Sequence, residues 1–214
     1  MNRNAKFWDK NADRYSKQPV ANEAAYQKKL QVTQEYFRPD MEVLEFGCGT
    51  GSTAIVHASH VKHILAIDIA ERMIAIARDK ADAQHINNIT FKQGSVDELV
   101  IPDSSLDLVM AHSILHLLQD NQAIIAKVFK MLKPGGIFVS STVCLGDNMR
   151  YIKLLAPIGR AFGFMPLLKV FTKIELKQSI TNAGFAIDYE WQPEGKVAVI
   201  FIVAKKSASS GTGT

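Results

Sequence analysis

Short apolar runs alternate with longer amphipathic windows along most of this chain, and that alternation constrains the fold more than any other feature. The runs are "EVLEF" (42–46), "HILAID" (63–68), "ITFKQG" (89–94), "LDLVMAH" (106–112) and "GIFVSSTV" (136–143). Their lengths and their β-branched and aromatic content are those of strands. Helical windows fall between them at 53–59, 71–83 and 121–132, the last ended by "KPGG", where proline and glycine stop a helix. Strands alternating with helices in this way build a parallel sheet covered on both faces, joined by right-handed crossovers. Two further runs, "FAIDYEW" and "KVAVIFIVA", flank the polar turn "QPEG" and read as an antiparallel pair at the sheet's end. The expected fold class is therefore α/β: a doubly wound, mostly parallel seven-stranded sheet with an antiparallel last strand and helices on both faces.

The periphery reads differently. Residues 1–40 form an N-terminal helical cap. An arm carries Phe7, Trp8 and Tyr15 at roughly helical spacing, and a helix then runs from Asn22 to Phe37 and stops at Pro39. Residues 145–171 are apolar and basic, and Pro157 and Pro166 interrupt them; they read as a helical lid inserted in the sheet's connections. Thr172 and Glu175 then have capping-box spacing and open a helix through Ala183, with Gly184 past its end. One domain over 1–204 accounts for the pattern, and the Ser/Gly/Thr-rich residues 205–214 read as a mobile tail.

With 47% apolar and 21% charged residues, the 214-residue chain has the composition of a globular domain. Its net charge of +4 is scattered instead of gathered in a basic run, so nucleic acid is not an expected partner. Cys48 and Cys144 make no disulfide framework, which points to reduced thiols and a cytoplasmic protein. The N-terminus lacks the apolar core of a signal peptide, and no apolar run is long enough to be a transmembrane segment.

The stretch "VLEFGCGTGSTAI" (43–55) sets Gly47, Gly49 and Gly51 where the first strand turns into its helix. In an open α/β sheet this turn faces the ligand crevice, and glycine lets backbone approach a ligand closely. Asp68 ends the second strand about 20 residues on, from where a carboxylate reaches ribose hydroxyls. Ser52 follows Gly51, so the third glycine of the dinucleotide fingerprint is missing. A phosphate loop with Lys-Ser/Thr is missing too. A nucleotide-dependent oxidoreductase remains a weaker alternative on the same kind of sheet.

"LEFGCGTG", followed by "ILAIDIAERMI" and "LKPGG", resembles the class I S-adenosylmethionine-dependent methyltransferases, Rossmann-like enzymes, and among them the small-molecule, "methyltransferase 11"-like branch. The resemblance covers nearly the whole chain. It implies S-adenosyl-L-methionine as cofactor, with Glu45, Gly47, Cys48 and Gly49 at the methionine end. Asp68 and Ile69 would hold ribose and adenine, with Met73 packed nearby. In "GSVDEL" the family's usual acidic residue is replaced by Ser95, so adenine contact falls to Ser95 and Val96. "AHSILHLL" corresponds to the segment facing the reacting methyl and brings in Ala111, His112 and Ser113. Tyr15, in "ADRYSK", resembles the tyrosine that closes over the cofactor. A non-catalytic cofactor-binding protein is the other alternative.

The resemblance implies in-line transfer to a small-molecule methyl acceptor. A hydroxyl acceptor would need a base, for which His112 is the candidate with His116 behind it. His57, His60 and His63 lack accompanying acids or cysteines and read as a surface cluster; no metal is expected. The chain has no Asp/Asn-Pro-Pro-aromatic segment of the kind that marks base-amine methylation. In the lid, Leu154, Leu155, Ile158, Phe162, Phe164, Met165 and Phe171 offer apolar lining, and Arg150, Arg160 and Lys169 offer charge for an acidic group. A hydrophobic or partly anionic acceptor follows, and a homodimer is compatible with all of this.

Overall fold

The computed structural model describes residues 3–161, 165–195 and 197–208. Seven strands, β1 (Glu42–Phe46), β2 (His63–Asp68), β3 (Ile89–Gln93), β4 (Leu106–His112), β5 (Leu132–Val143), β6 (Phe185–Trp191) and β7 (Val199–Lys206), form one sheet in the order β3-β2-β1-β4-β5-β7-β6. The first five pair in parallel, and β7 lies antiparallel between β5 and β6. The chain winds outward from β1 to β3, then returns to place β4 on the other side of β1. Ligands bind at this reversal in sheets of this kind.

β5 starts earlier than the sequence pattern predicts. Leu132 already pairs with Leu106, and a register shift then lets Leu108 meet Ile137. "KPGG" is thus absorbed in a bulged strand entry instead of separating helix from strand. β7 runs through Lys206, so the first two residues of the expected tail belong to the sheet; residues 209–214 lie outside the described residues.

Helices cover both faces. α2 (Glu23–Gln34), α3 (Ser52–His57) and α4 (Glu71–Ala83) bury Val32, Ala54, Ile55, Ile74 and Ala77 against Val43, Ile64, Leu108 and Val139. On the opposite face α5 (Asn121–Met131) and α8 (Lys173–Asn182) bury Ile124, Val128, Leu176 and Ile180 against Leu44, Val109, Phe138 and Ile202. Period-2 alternation along each strand divides these two sets. Caps fix where the helices begin. Asn22 accepts from Ala25 N, Asp120 accepts from Ala123 N, and Thr172 and Glu175 exchange both capping-box bonds.

The N-terminal helix α1 (Arg3–Ser16) buries only Ala5 and Ala12. Ala12 packs with Ala70 and Met73, and the Asp9 carboxylate accepts from Arg72 N at 2.9 Å. Ala70 has no capping side chain of its own, so α1 supplies the missing acceptor at the positive end of α4. That contact holds α1 across the carboxyl edge of the sheet. The lid contains α6 (Leu145–Asn148) and α7 (Ile152–Ala161).

The glycines of the first turn have separate physical reasons. Gly51 adopts φ +74°, and a Cβ there would come within 2.8 Å of Ala77 on α4 and of the Phe91 ring on β3. Gly49 adopts φ +53°, yet a Cβ would meet only Tyr15, at 3.8 Å. Gly51 therefore serves helix–sheet packing and Gly49 keeps space open at the crevice. From left-handed strain plus overpacking, Gly51→Ala should cost about 2–4 kcal/mol, and from left-handed strain alone Gly49→Ala about 1–2 kcal/mol. Urea unfolding of the two variants checks this; equal losses would refute the division of roles.

Candidate functional site

Asp68 holds the crevice together. Its Oδ2 accepts from Gly49 N and its Oδ1 from Ala70 N, both at 2.9 Å. Cys48 N donates to Ile67 O at 3.0 Å, and Gly94 N donates to Asp68 O at 2.9 Å. The turns after β1, β2 and β3 are thus tied to one another at Asp68. Burial raises the pKa of its carboxyl despite the backbone donors. Each carboxylate oxygen keeps a further lone pair for a ligand hydroxyl.

A cavity of about 580 Å³ opens beside these turns. Of the residues singled out in the sequence, Tyr15, Gly47, Gly49, Asp68, Ile69, Met73, Ser95, Val96, His112 and Ser113 line it. Glu45, Cys48 and Ala111 are not among its lining residues. Ala111 points to the other face of the sheet, into the core with Phe138 and Leu176, because adjacent strand residues alternate. Cys48 packs beneath the turn, and burial holds its thiol well above the usual range. Glu45 is 2% exposed behind the turn, with Oε2 lacking a hydrogen-bond partner. Burial pushes its carboxyl up to about 8, against the lowering effect of a bond from the Ala54 backbone.

The cavity also includes residues that pattern reading missed. Ser95 Oγ donates to Asp97 Oδ2 at 2.7 Å, and Asp97 lines the cavity. A carboxylate thus stands near the position where Ser95 replaces the family's acid, and it was visible in "GSVDEL". Trp8 and Asn4 on α1 line the mouth, while Ile114, Leu117, Leu118, Pro166, Leu167 and Leu168 wall the far half. That half differs from the expected lid lining. Leu154, Leu155 and Ile158 are exposed and Phe171 is buried in the core; Phe162 and Phe164 lie outside the described residues. Arg160 lines the cavity, Lys169 lines the space beyond it, and Arg150 Nε donates instead to Gly146 O.

His112 lies at the end of β4 with Nε2 enclosed and unpartnered. Burial lowers its pKa to about 3, helped by the charges of Lys29 and His57. Lys29 Nζ stands 3.3 Å from Ser141 Oγ, and burial lowers its pKa as well. His116 also lines the cavity and is lowered to about 4 by burial. Both imidazoles are neutral near pH 7. The expected surface cluster of histidines does not form: His57 is fully buried edge-on to Phe37 at 4.9 Å, while His63 bonds Thr90 and His60 bonds Ser59. Burial lowers the pKa of His57 to about 4.

These residues fit the cofactor that the resemblance implies. A glycine without a side chain faces the cavity, a carboxylate sits at its rim with lone pairs to spare, and apolar Ile69, Met73 and Val96 flank them.

Comparison with known proteins places this geometry. The family model described as a methyltransferase domain matches residues 37–184. The uncharacterized methyltransferase YcgJ of Bacillus subtilis is 27% identical over 132 residues, 62% of this chain and 52% of that protein. Its crystal structure superposes with a TM-score of 0.71 at 16% identity, over 86% of this chain and 100% of that chain. The demethylmenaquinone methyltransferase of Symbiobacterium thermophilum is 26% identical over 172 residues, 77% of this chain and 65% of that protein. The [4+2]-cyclase SpnF shares the fold at TM-score 0.72 and 18% identity, over 85% of this chain and 81% of that one. The chain spans about half or less of the length of the first curated relatives it matches, 52%, 41% and 37%. With the family model covering residues 37–184 and the glycine turn, Asp68 and the cavity all in place, the chain belongs to the methyltransferase-domain family of class I, S-adenosylmethionine-dependent proteins.

Proposed function

We propose that the protein methylates a small acceptor with an apolar body, in line, from S-adenosylmethionine. The observation that carries this reading is a cavity continuous from the Gly49–Asp68 turn to the apolar wall at 114–118 and 166–168. Its lining joins the Asp68 carboxylate and Ser95 to apolar Ile114, Leu117, Leu118, Leu167 and Leu168, with polar His116, Gln119 and Arg160 among them, so cofactor and acceptor would share one enclosure. Relatives are named for malonyl-[acyl-carrier protein], demethylmenaquinone and trans-aconitate, which supports a small acceptor without choosing among them.

When bound, the cofactor supplies an electrophilic methyl group. Asp68 would accept from ribose hydroxyls, Ile69, Met73 and Val96 would hold the adenine by apolar contact, and Ser95 and Asp97 would supply its polar partners. Gly47, Gly49 and Ser113 border the reacting end. Tyr15 and Trp8 cover the mouth and limit water. Positioning of this kind supplies up to about 7–11 kcal/mol of barrier reduction.

His112 orients the acceptor. Held neutral, its imidazole lines the cavity and can accept a hydrogen bond from a nucleophile's proton. With a pKa near 3 it is a weak base at pH 7, because a general base works best when its pKa is close to the working pH. The favoured acceptor is therefore one whose nucleophile needs only partial deprotonation or ionises by itself.

Release of S-adenosylhomocysteine over a panel of small acids, quinols and phenols tests the reading, with Asp68→Ala as control. That variant should weaken S-adenosylhomocysteine binding at least ~10-fold through loss of charge-assisted bonds; unchanged affinity would sink the placement. Binding without transfer to any acceptor would favour a non-catalytic cofactor-binding protein.

Glu45 sets a second expectation. Its folded pKa lies above its unfolded value, so the folded state keeps a proton that the unfolded state releases. Stability from this group is full in acid and is lost as pH rises to about 8. Between about pH 5 and 8 the protein should lose up to about 1.4 kcal/mol per pH unit relative to Glu45→Gln. Parallel urea titrations read the difference, and identical slopes would show that Glu45 is ionised in the folded state.

A further inference from the structure

The lid helix α7 faces the wrong way for a helix that merely covers a sheet. Tyr151, Leu154, Leu155 and Ile158, spaced to fall on one stripe, are 58%, 76%, 54% and 58% exposed, and Ala156 is its one buried residue among those described. The opposite side carries Lys153 and Arg160, and it borders a second cavity of about 820 Å³. Arg3, from the start of α1, and Lys169 line this space too. Arg160, Leu167 and Leu168 belong to both cavities, so the second is an annex to the acceptor end of the first.

The annex lining has, among the described residues, four cations and no carboxylate. Among the described residues, no ion pair reaches Arg3, Lys153, Arg160 or Lys169. Lys169 Nζ touches only a neutral carbonyl, Gln119 O, at 3.2 Å. Of the nearby acids, Asp147 accepts from Lys173 N, and Glu175 accepts from Thr172 N and Oγ1 while the charges of Arg150 and Lys153 help to hold its carboxyl below the usual range. Like charges gathered on a concave wall raise the local concentration of anions, and guanidinium favours phosphate or carboxylate through paired hydrogen bonds.

We propose that this annex binds an anionic group, phosphate or carboxylate, carried at the far end of the methyl acceptor. The acceptor is then bipartite. Its nucleophile lies near His112, its apolar body passes Leu167 and Leu168, and its anion is held by Arg160 with Lys153, Lys169 and Arg3. The assignment of the near end rests on the methyltransferase reading, whereas the anion site can be measured without it.

The test uses calorimetric titration of the whole protein with octyl phosphate, octanoate, octanol and octyltrimethylammonium, all below their micellar concentrations. The two anions should bind at least ~10-fold more tightly than the alcohol and more tightly than the cation, with added salt reducing the advantage. Arg160→Gln should remove most of the preference, and a Lys153→Gln/Lys169→Gln double variant part of it, while S-adenosylhomocysteine binding stays unchanged. Equal affinity for alcohol and phosphate, or an Arg160→Gln variant that keeps the preference, overturns the proposal. Failure of S-adenosylhomocysteine to bind, with anion preference intact, would instead remove the methyltransferase reading and leave the anion site standing. Sedimentation with phosphatidylglycerol and phosphatidylcholine vesicles separates the two sources of the anion. Arg160-dependent pelleting with the anionic lipid assigns it to a headgroup, and its absence assigns it to a free acceptor.

Discussion

The hydrogen bonds from Gly49 N and Ala70 N to the two oxygens of Asp68 are the constraint on which the site depends. They pin the glycine turn to the end of β2 and set the start of α4, and the Asp68 carbonyl ties in the turn after β3. Each of these backbone groups would otherwise be a buried or half-buried orphan at a strand end, at a cost of about 1–3 kcal/mol. The carboxylate that structures the turn also lines the cavity, so the side chain proposed to bind the cofactor has a folding role as well. Substituting it cannot separate the two unless stability and affinity are measured together.

The electrostatics around the cavity are divided along its length. Near β1 and β2 the fold concentrates acids, Glu45 and Asp68, both with pKa raised by burial. Around His112, at the end of β4, stand Lys29 from α2 and His57 from α3, and His116 lines the cavity; burial lowers the pKa of all four. The three imidazoles are therefore neutral near pH 7, as the Glu45 carboxyl largely is. Basic character continues outward through Arg160 to the annex. Buried groups of this kind avoid the cost of an isolated charge by shifting their pKa and staying neutral.

Local pattern was enough for the central strands and for the glycine turn after β1. "HILAID" and "LDLVMAH" coincide with β2 and β4, because fully buried parallel strands are written as contiguous apolar runs. The glycine turn and Asp68 were legible because φ > 0 and a carboxylate at a strand end leave few alternative residues. Ala111 lies in the core and outside the cavity lining for a reason equally local: it precedes His112 on a strand, and neighbours on a strand face opposite ways. β5 was cut short because "KPGG" carries the signal of a helix stop, while the pairing of Leu132 with Leu106 is a non-local contact with no sequence signature.

The acceptor half was less legible, and α7 shows why. Its stripe of Tyr151, Leu154, Leu155 and Ile158 announces a helix with an apolar face but not which way that face turns. Direction is fixed by the neighbours. Here the connection to β5 through Cys144 and the backbone bond from Lys169 N to His116 O, 2.7 Å, hold the lid by its ends, and between them Ala156 is the buried residue on the helix. A segment with so little buried apolar surface sits at the low end of local stability. A segment fastened in this way can shift without disturbing the sheet, whereas the glycine turn, fastened through Asp68 and Gly51, cannot. The two halves of the cavity thus differ in how strongly the fold fixes them, and the half that the fold fixes least is also the half that a sequence describes least.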